Sequence, residues 1–228
     1  MAARRLFHGT GPGVITPDGC SVELYQTLVP NGEPQRIHAA AGEGASILEL
    51  GSGTGRITHA LLALGHEVVA VDESPEMLAH IRGAETVCSP IQALDLDREF
   101  DVVLMMSYLV ELADDDRRRA LLAACRRHVA DDGCVILQRQ PPGWYDNLER
   151  GYERSGEGFR FRMKGFHRLG PDVVEATMEY VVGEREWTQT FVSRRMDDDF
   201  LESCLAEVGL TVSGLLDDDP GWIRAVPR

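Results

Sequence analysis

The run ELGSGTGR at 49–56 has residue types and a spacing that suit ligand binding. Glycines at alternate positions let the backbone turn sharply and approach a ligand closely. The run joins a predicted strand to a predicted helix, a junction where nucleotide-like ligands commonly bind. Its G-x-G-x-G spacing differs from the dinucleotide fingerprint G-x-G-x-x-G. Glu49 disfavours a pyrophosphate and suits a cationic or zwitterionic ligand.

Asp72 is a second candidate for ligand binding, because it ends the next predicted strand, Val68–Val71. An acidic residue at this position can accept hydrogen bonds from both ribose hydroxyls of a nucleoside. Ser74 and Pro75 follow and predict a helix start, with serine as the cap and proline at the first helical position.

The elements that must position these residues alternate regularly from residue 46 onward. Apolar runs predict five strands, at 47–50, 68–71, 86–88, 101–106 and 134–137, and helices at 56–64, 75–81 and 114–129, with a turn at 132–133. Continuous apolar strands separated by helices predict a doubly wound, mostly parallel, Rossmann-like α/β sheet covered on both faces.

The rest of the chain follows different patterns. Residues 1–21 are rich in glycine and predict an irregular arm, followed by short helices near 22–28 and 35–41. Residues 143–196 are aromatic and alternating, and predict an antiparallel β insertion with a hairpin of 173–182 and 186–192. We therefore expect an N-terminal arm at 1–44, an α/β core at 45–142 and 197–228, and a substrate-binding insertion at 143–196.

Composition excludes several classes of function. The net charge of −14 repels a phosphate backbone, so we expect no nucleic-acid partner. No apolar run approaches the length of a membrane span, and nothing near the N-terminus resembles a secretory signal, so we expect a cytoplasmic protein with no membrane contact. The five cysteines are odd in number and lack C-x-x-C spacing, so we expect neither a disulfide framework nor a metal site. A monomer and a homodimer both remain open.

The block 47–56, with 69–78 after it, resembles the class I S-adenosylmethionine-dependent methyltransferases. The resemblance covers residues 45–139 and implies S-adenosylmethionine as cofactor, with S-adenosylhomocysteine as product. By this resemblance Gly51, Ser52 and Gly53 form the platform under the methionine part, and Glu49 orders the loop. Asp72 anchors the ribose, with Glu73 beside it.

The resemblance also implies residues around the adenine. Ile91 and Gln92 match the segment after the third strand that touches adenine, and Met106 matches the wall of that site. Many relatives have Asp or Asn where this chain has Ser89-Pro90. The base-amine nucleic-acid methylases carry the motif N/D-P-P-Y/F, and this motif does not follow the fourth predicted strand. Its absence there favours a small-molecule substrate.

Candidate substrate and catalytic residues follow the strand ends or lie in the two flanking segments. Tyr25 is similar to a tyrosine that covers the cofactor in many relatives, and Tyr108 follows the fourth strand. Gln140, Trp144 and Tyr145 follow the fifth strand and are expected to contact substrate. His167 is the best-placed titratable base of the insertion, because its ordinary pKa lies near neutrality. The alternative for each is a packing or solvent-facing residue.

We therefore expect methyl transfer to the oxygen, nitrogen or carbon of a small organic molecule. Lys164 is the only lysine among 23 basic residues, which is typical of high-GC bacteria and suggests bacterial secondary metabolism. Two alternatives remain open at this point. The cofactor can serve structurally while the insertion catalyses a rearrangement or cyclisation, or the chain can be a non-enzymatic cofactor-binding module.

Overall fold

A computed structural model describes residues 7–141 and 143–228, so residues 1–6 of the predicted arm and Pro142 of the predicted core lie outside it. The strands are β1 (Phe7–Thr10), β2 (Ser46–Leu50), β3 (Glu67–Asp72), β4 (Glu85–Cys88), β5 (Phe100–Met105), β6 (Val129–Gln138), β7 (Glu153–Gly156), β8 (Phe159–Arg168), β9 (Val173–Val182), β10 (Arg185–Arg194), β11 (Leu210–Leu216) and β12 (Asp219–Pro227). The helices are α1 (Val22–Thr27), α2 (Glu33–Ala41), α3 (Thr58–Ala63), α4 (Pro75–Leu78), α5 (Asp115–His128) and α6 (Asp198–Ala206).

These elements form two compact units. The first, called here the β unit, combines the described part of Met1–Leu28 with Gly143–Arg195. The second, called the α/β unit, combines Val29–Pro142 with Met196–Arg228. The structure divides the chain after residues 28 and 195. The sequence pattern instead predicts these domain boundaries after residues 44 and 196.

The α/β unit contains a seven-stranded sheet with the order β11-β12-β6-β5-β2-β3-β4. Strands β4, β3, β2, β5 and β6 run parallel, and β12 and β11 add an antiparallel edge. The chain moves outward in opposite directions from β2, towards β4 on one side and β6 on the other. This confirms the predicted doubly wound, mostly parallel fold, and it places the switch point of the sheet between β2 and β5.

Local sequence signals account for the helix starts of this unit. The side chains of Ser74, Asp114 and Asp197 each accept a backbone N–H from the first turn of α4, α5 and α6. Two helices are shorter than predicted, because α3 begins at Thr58 rather than at residue 56 and α4 ends at Leu78 rather than at 81.

The predicted turn at 132–133 is wrong, because β6 runs without interruption from Val129 to Gln138. On β5, Phe100 pairs with Val129 and Val102 pairs with Cys134, so the register shifts between them. The extra residues of β6 between Val129 and Cys134 form a bulge. A Cβ on Gly133 would lie 2.7 Å from the carbonyl oxygen of Asp101. Gly133 therefore permits close approach to β5 and does not mark a turn.

The β unit contains a five-stranded antiparallel sheet with the order β1-β10-β9-β8-β7. The predicted insertion is antiparallel, and its β9–β10 hairpin is confirmed, with Val182 paired to Arg185. The prediction of a wholly irregular arm is wrong, because β1 pairs with β10. A Cβ on Gly9 would lie 2.1 Å from the carbonyl oxygen of Gly19, so glycine here serves close backbone packing.

Arg139, just beyond β6, forms hydrogen bonds with residues near α6 and in β12. Its side chain is 1% exposed, and its guanidinium donates to the carbonyl oxygens of Pro220 and Met196 and to the Asp198 carboxylate, at 2.8, 2.7 and 2.5 Å. In the structure its guanidinium is used to join β12 and α6 to the sheet.

We predict that Arg139→Met lowers the free energy of unfolding by about 3 kcal/mol, because hydrogen bonds to a charged group contribute about 1.5–3 kcal/mol each. Denaturant unfolding followed by circular dichroism measures this change. Arg98→Met is the control, since Arg98 and Glu85 form an exposed ion pair and its loss should cost at most about 1 kcal/mol. Equal stability of the two variants would contradict a structural role for Arg139.

Candidate functional site

The glycine turn after β2 adopts a conformation that few other residues accept. Gly51, Gly53 and Gly55 have φ angles of 72°, 56° and 86°, all in the left-handed region. The backbone N–H groups of Gly51 and Ser52 both donate to the carbonyl oxygen of Val71, at 2.8 and 2.9 Å. The turn is therefore held against the end of β3.

The Asp72 carboxylate joins this turn to the next helix. One oxygen accepts the backbone N–H of Gly53 and the other that of Ser74, each at 2.9 Å. A carboxylate oxygen has two acceptor positions, so one side chain can join several donors. The Asp72 carbonyl oxygen accepts the N–H of Ser89 at 3.0 Å, which brings the end of β4 to the same place.

Glu49 lies beneath the turn and is 3% exposed. Its carboxylate accepts the Thr58 hydroxyl at 2.6 Å. Burial raises the pKa of Glu49 to about 7 and outweighs the lowering effects of Thr58 and Arg56. Arg56 itself pairs with Glu33 at 2.6 Å, so the start of α2 is tied to the turn.

Ser52 provides a test of whether this turn suits a polar ligand. It is 6% exposed, and its hydroxyl oxygen has no hydrogen-bond partner within the part of the chain that the structure describes. Buried polar atoms are nearly always hydrogen-bonded, so an unpaired one needs a reason. A polar group of a ligand against the turn would supply the partner, and the turn residues therefore fit such a ligand.

The loop after β5 meets the same edge of the sheet. Ser107 and Tyr108 have φ angles of 55° and 63°, which are uncommon for residues other than glycine. The Ser107 N–H donates to the Gln138 side-chain oxygen at 3.0 Å. A single 3-10 turn, Leu109–Glu111, follows. Tyr108 is 40% exposed at this edge.

The remaining residues predicted to bind a cofactor lie in differing surroundings. Ile91 is half-buried and Gln92 exposed, both in a 3-10 turn after β4. Glu73 is exposed beside Asp72. Met106 is 4% exposed and packs in the apolar core cluster that also holds Ile37.

Two residues predicted to act on substrate lie on different faces of the β-unit sheet. The Cys20 thiol lies 3.3 Å from the Tyr25 hydroxyl and accepts the Gln189 amide at 3.2 Å. His167 is exposed and pairs with Glu175, whereas Gln189 pairs with Met178. Paired residues share a face of the sheet, and side chains alternate between faces along a strand. Glu175 and Met178 are three positions apart on β9, so they point to opposite faces. The structure therefore does not bring His167 together with the cluster of Tyr25, Cys20 and Gln189.

The Tyr25 hydroxyl is suited to donating a hydrogen bond. The neighbouring Cys20 and burial raise the pKa of Tyr25 well above its ordinary value. It therefore stays protonated near neutral pH and is a poor general base.

Trp144 and Tyr145 begin the β-unit segment that follows β6. Tyr145 is 2% exposed, packs with Leu148 and Val174, and its hydroxyl lies 2.6 Å from that of Ser193. Trp144 is half-buried and contacts Tyr145 edge to face. Tyr145 therefore belongs to the core of the β unit, which was the alternative to a substrate contact.

Glu111 follows the fourth predicted strand, as Tyr108 does, and from the sequence it is either a candidate site residue or the start of the next helix. Glu111 is 3% exposed, and one of its carboxylate oxygens accepts the backbone N–H of Gln140. No local pattern signals this position, because its burial depends on the end of β6, about thirty residues further along the chain.

Further observations limit other types of site. No helix within residues 7–141 and 143–228 is long and apolar enough to cross a membrane. Among these same residues, no three His, Cys, Asp or Glu side chains are grouped so as to hold a metal ion.

Comparison with known proteins identifies the first part of the α/β unit. A family model described as a methyltransferase domain matches residues 47–133. The cypemycin N-terminal methyltransferase of a Streptomyces species is 35% identical over 107 residues, which cover 44% of this chain and 44% of that protein. The chain thus matches less than half the length of this curated relative.

Two solved structures share the fold over most of the chain. A sugar N-methyltransferase from Streptoalloteichus sp. ATCC 53650 is 20% identical with a TM-score of 0.68, covering 96% of this chain and 98% of that one. An amino pentose methyltransferase from Micromonospora echinaspora, solved with bound S-adenosylmethionine, is 23% identical with a TM-score of 0.65, covering 86% of this chain and 88% of that one.

The raised pKa of Glu49 predicts a pH-dependent stability. The folded protein binds a proton at Glu49 up to about pH 7, whereas the unfolded chain releases it above its ordinary pKa of 4.5. Stability from this group is therefore present below pH 4.5 and is lost as pH rises through about 7.

Relative to Glu49→Gln, the wild type should lose about 3–4 kcal/mol of unfolding free energy across this window, since each pKa unit corresponds to about 1.4 kcal/mol. Denaturant unfolding of both proteins at several pH values measures the difference. A difference that does not change with pH would show that the buried carboxyl does not titrate in this way.

Proposed function

We propose that the chain is a class I S-adenosylmethionine-dependent methyltransferase that methylates an amine nitrogen of a small organic molecule, and the methyltransferase-domain model that matches residues 47–133 supports this. One observation carries the proposal: the left-handed glycine turn follows β2 at the switch point of the sheet, and the Asp72 carboxylate at the end of the neighbouring β3 accepts its Gly53 N–H. In open α/β sheets, ligands bind in the crevice at this point.

Several residues would hold the cofactor. Asp72 would accept the ribose hydroxyls, and the Gly51–Gly53 turn would lie under the methionine part, with the Ser52 hydroxyl available to a polar group. Ile91 and Gln92 would lie along the adenine. When bound, S-adenosylmethionine supplies an activated methyl group on a positively charged sulfur.

The chain's own contribution to the rate is mainly alignment. Methyl transfer is an in-line displacement, so holding the acceptor in line with the departing sulfur removes much of the barrier. A turn fixed at both Val71 and Asp72 is rigid enough for this purpose. An amine needs only a free electron pair, so the demand on a base is smaller than for a hydroxyl.

Two observations support a nitrogen acceptor. The relatives named above are an N-terminal methyltransferase, a sugar N-methyltransferase and an amino pentose methyltransferase. A net charge of −14 also attracts an amine that is protonated in solution. A role in bacterial secondary metabolism agrees with these relatives and is part of the proposal.

We propose the β unit as the substrate-binding part of the protein. Its larger part, Gly143–Arg195, follows β6 in the chain. Its half-buried Trp144 and the Tyr25 hydroxyl offer an apolar surface and a hydrogen-bond donor to a small molecule. His167 is exposed on the opposite face from Gln189 and is not part of this proposal.

The activity is tested by incubating the protein and S-adenosylmethionine with three probes: an aminopentose, an aminodeoxyhexose and a short peptide with a free α-amino group. We expect release of S-adenosylhomocysteine and addition of one methyl group to nitrogen. Mass spectrometry detects both products. The same compounds with hydroxyl in place of amine are the control. Methylation of the hydroxyl compounds alone would contradict the nitrogen acceptor. Absence of S-adenosylhomocysteine with every probe would contradict the activity and favour a structural or sensing role for the cofactor.

For the cofactor site, we predict that Asp72→Ala weakens S-adenosylhomocysteine binding about ten- to a hundredfold, since charged hydrogen bonds contribute about 1.5–3 kcal/mol. Isothermal titration calorimetry measures the affinity. Asp101→Ala is a matched control, because Asp101 also accepts a backbone N–H, that of Ser46 at 2.8 Å, but at the opposite end of β2. Equal affinities of the two folded variants would exclude Asp72 from the site.

A further inference from the structure

The side chains around the glycine turn are mostly acidic. Glu49 lies beneath the turn, the Asp72 carboxylate accepts the N–H of Gly53, and Glu73 is exposed beside Asp72. Such groups attract the ammonium and the sulfonium of S-adenosylmethionine, and they repel the carboxylate of its methionine part. That carboxylate therefore needs a positively charged partner at the turn.

Arg56 follows the turn directly and carries such a charge. Among residues 49–56 and the described residues that hydrogen-bond to them, Arg56 is the only arginine or lysine. Burial raises the pKa of Glu49, whereas the Thr58 hydroxyl and the positive charge of Arg56 lower it. The guanidinium is thus close enough to the base of the turn to act on a charge there.

The Arg56 guanidinium is held through one nitrogen and leaves its other donors unused. Its Nη1 donates to the Glu33 carboxylate at 2.6 Å. A guanidinium has five N–H donors, and within the part of the chain that the structure describes neither Nε nor Nη2 of Arg56 has a partner. The side chain is 21% exposed, so a ligand can reach it.

Glu33 fixes the guanidinium without covering it. One oxygen of the Glu33 carboxylate binds Arg56, and the other accepts the backbone N–H of Asn31 at the start of α2. Glu33 is itself 15% exposed, so the pair lies at a surface. A guanidinium that is already oriented loses little further freedom when it binds a planar carboxylate.

Ser52 is a second, independent sign of a polar ligand at this turn. Its buried hydroxyl has no partner among the described residues, and its carbonyl oxygen accepts the N–H of Gly55 at 3.1 Å. Ser52 and Arg56 therefore stand at the two ends of one tight turn. A carboxylate only accepts hydrogen bonds, so it fits a hydroxyl donor and a guanidinium donor together.

From this arrangement we infer that Arg56 binds the carboxylate of the methionine part of S-adenosylmethionine, through the N–H donors that Glu33 leaves unused. This rests on the proposed function, which supplies the cofactor. Glu33 is then a positioning residue for Arg56. The turn would select nucleoside thioethers and sulfonium compounds that carry an α-carboxylate over those that lack it.

The test compares S-adenosylhomocysteine with its decarboxylated form, in which hydrogen replaces the carboxylate. Titration calorimetry gives the two affinities for each protein. The wild type should prefer S-adenosylhomocysteine about ten- to a hundredfold, the range for hydrogen bonds to charged groups. Arg56→Gln should remove most of this preference, because it should weaken S-adenosylhomocysteine about tenfold or more and leave the decarboxylated form within about threefold.

Glu33→Gln is the matched control. It also removes the ion pair between α2 and the turn, but it keeps the Arg56 guanidinium. If Arg56 serves only to hold α2, the two variants should weaken both ligands alike. The inference instead predicts that Glu33→Gln keeps the wild-type preference for S-adenosylhomocysteine within about threefold.

A wild type that binds the two ligands equally would overturn the inference, so the test does not depend on the folding of Arg56→Gln. An Arg56→Gln protein with the wild-type preference would overturn it as well, and the proposed function would stand. If the wild type binds neither ligand, the proposed cofactor is wrong and the inference fails with it.

Discussion

Asp72 accepts the backbone N–H of Gly53 with one carboxylate oxygen and that of Ser74 with the other. These two donors belong to different loops, one before α3 and one before α4. A charged acceptor makes stronger hydrogen bonds than a neutral one, so a single side chain fixes both loops at the end of β3. The glycine turn, the start of α4 and the end of β4 all take their positions from this residue.

The constraint extends inward through Glu49. Its buried carboxyl bonds to Thr58 at the start of α3, so the base of the turn is fixed as well as its rim. The turn thus has little freedom to adjust when a ligand binds, and binding energy is not spent on ordering it. Glu111 holds the neighbouring loop in a similar way, because its carboxylate accepts the backbone N–H of Gln140 just beyond β6.

The sequence predicts those features that depend on local patterns. Continuous apolar strands, the serine and aspartate caps and the glycine run are local signals, and they identify the parallel sheet and the candidate cofactor residues. Features that depend on distant partners are not predictable in this way. Strand β1 lies in a glycine-rich segment, and only its pairing with β10, about 180 residues later, makes it a strand. Gly133 resembles a turn residue until its contact with Asp101 is known.

The same distinction applies to the site. Asp72 is recognisable because it ends a strand at a fixed distance from the glycine run. Glu111 is not, since an acidic residue before a helix is common and its burial is invisible in the sequence. His167 is a candidate base by residue type alone, but its strand register places its exposed side chain on the face of the sheet opposite Gln189. Residue type suggests chemistry, and register decides whether the side chain can take part.

A crystal structure of the complex with S-adenosylhomocysteine is the most direct test of the central claim that the Asp72 carboxylate and the glycine turn form the cofactor site. We expect both ribose hydroxyls within hydrogen-bond distance of the Asp72 carboxylate, with the methionine part against Gly51–Gly53 and a polar group against the Ser52 hydroxyl. A ligand bound elsewhere, or one whose ribose does not reach Asp72, would contradict the account.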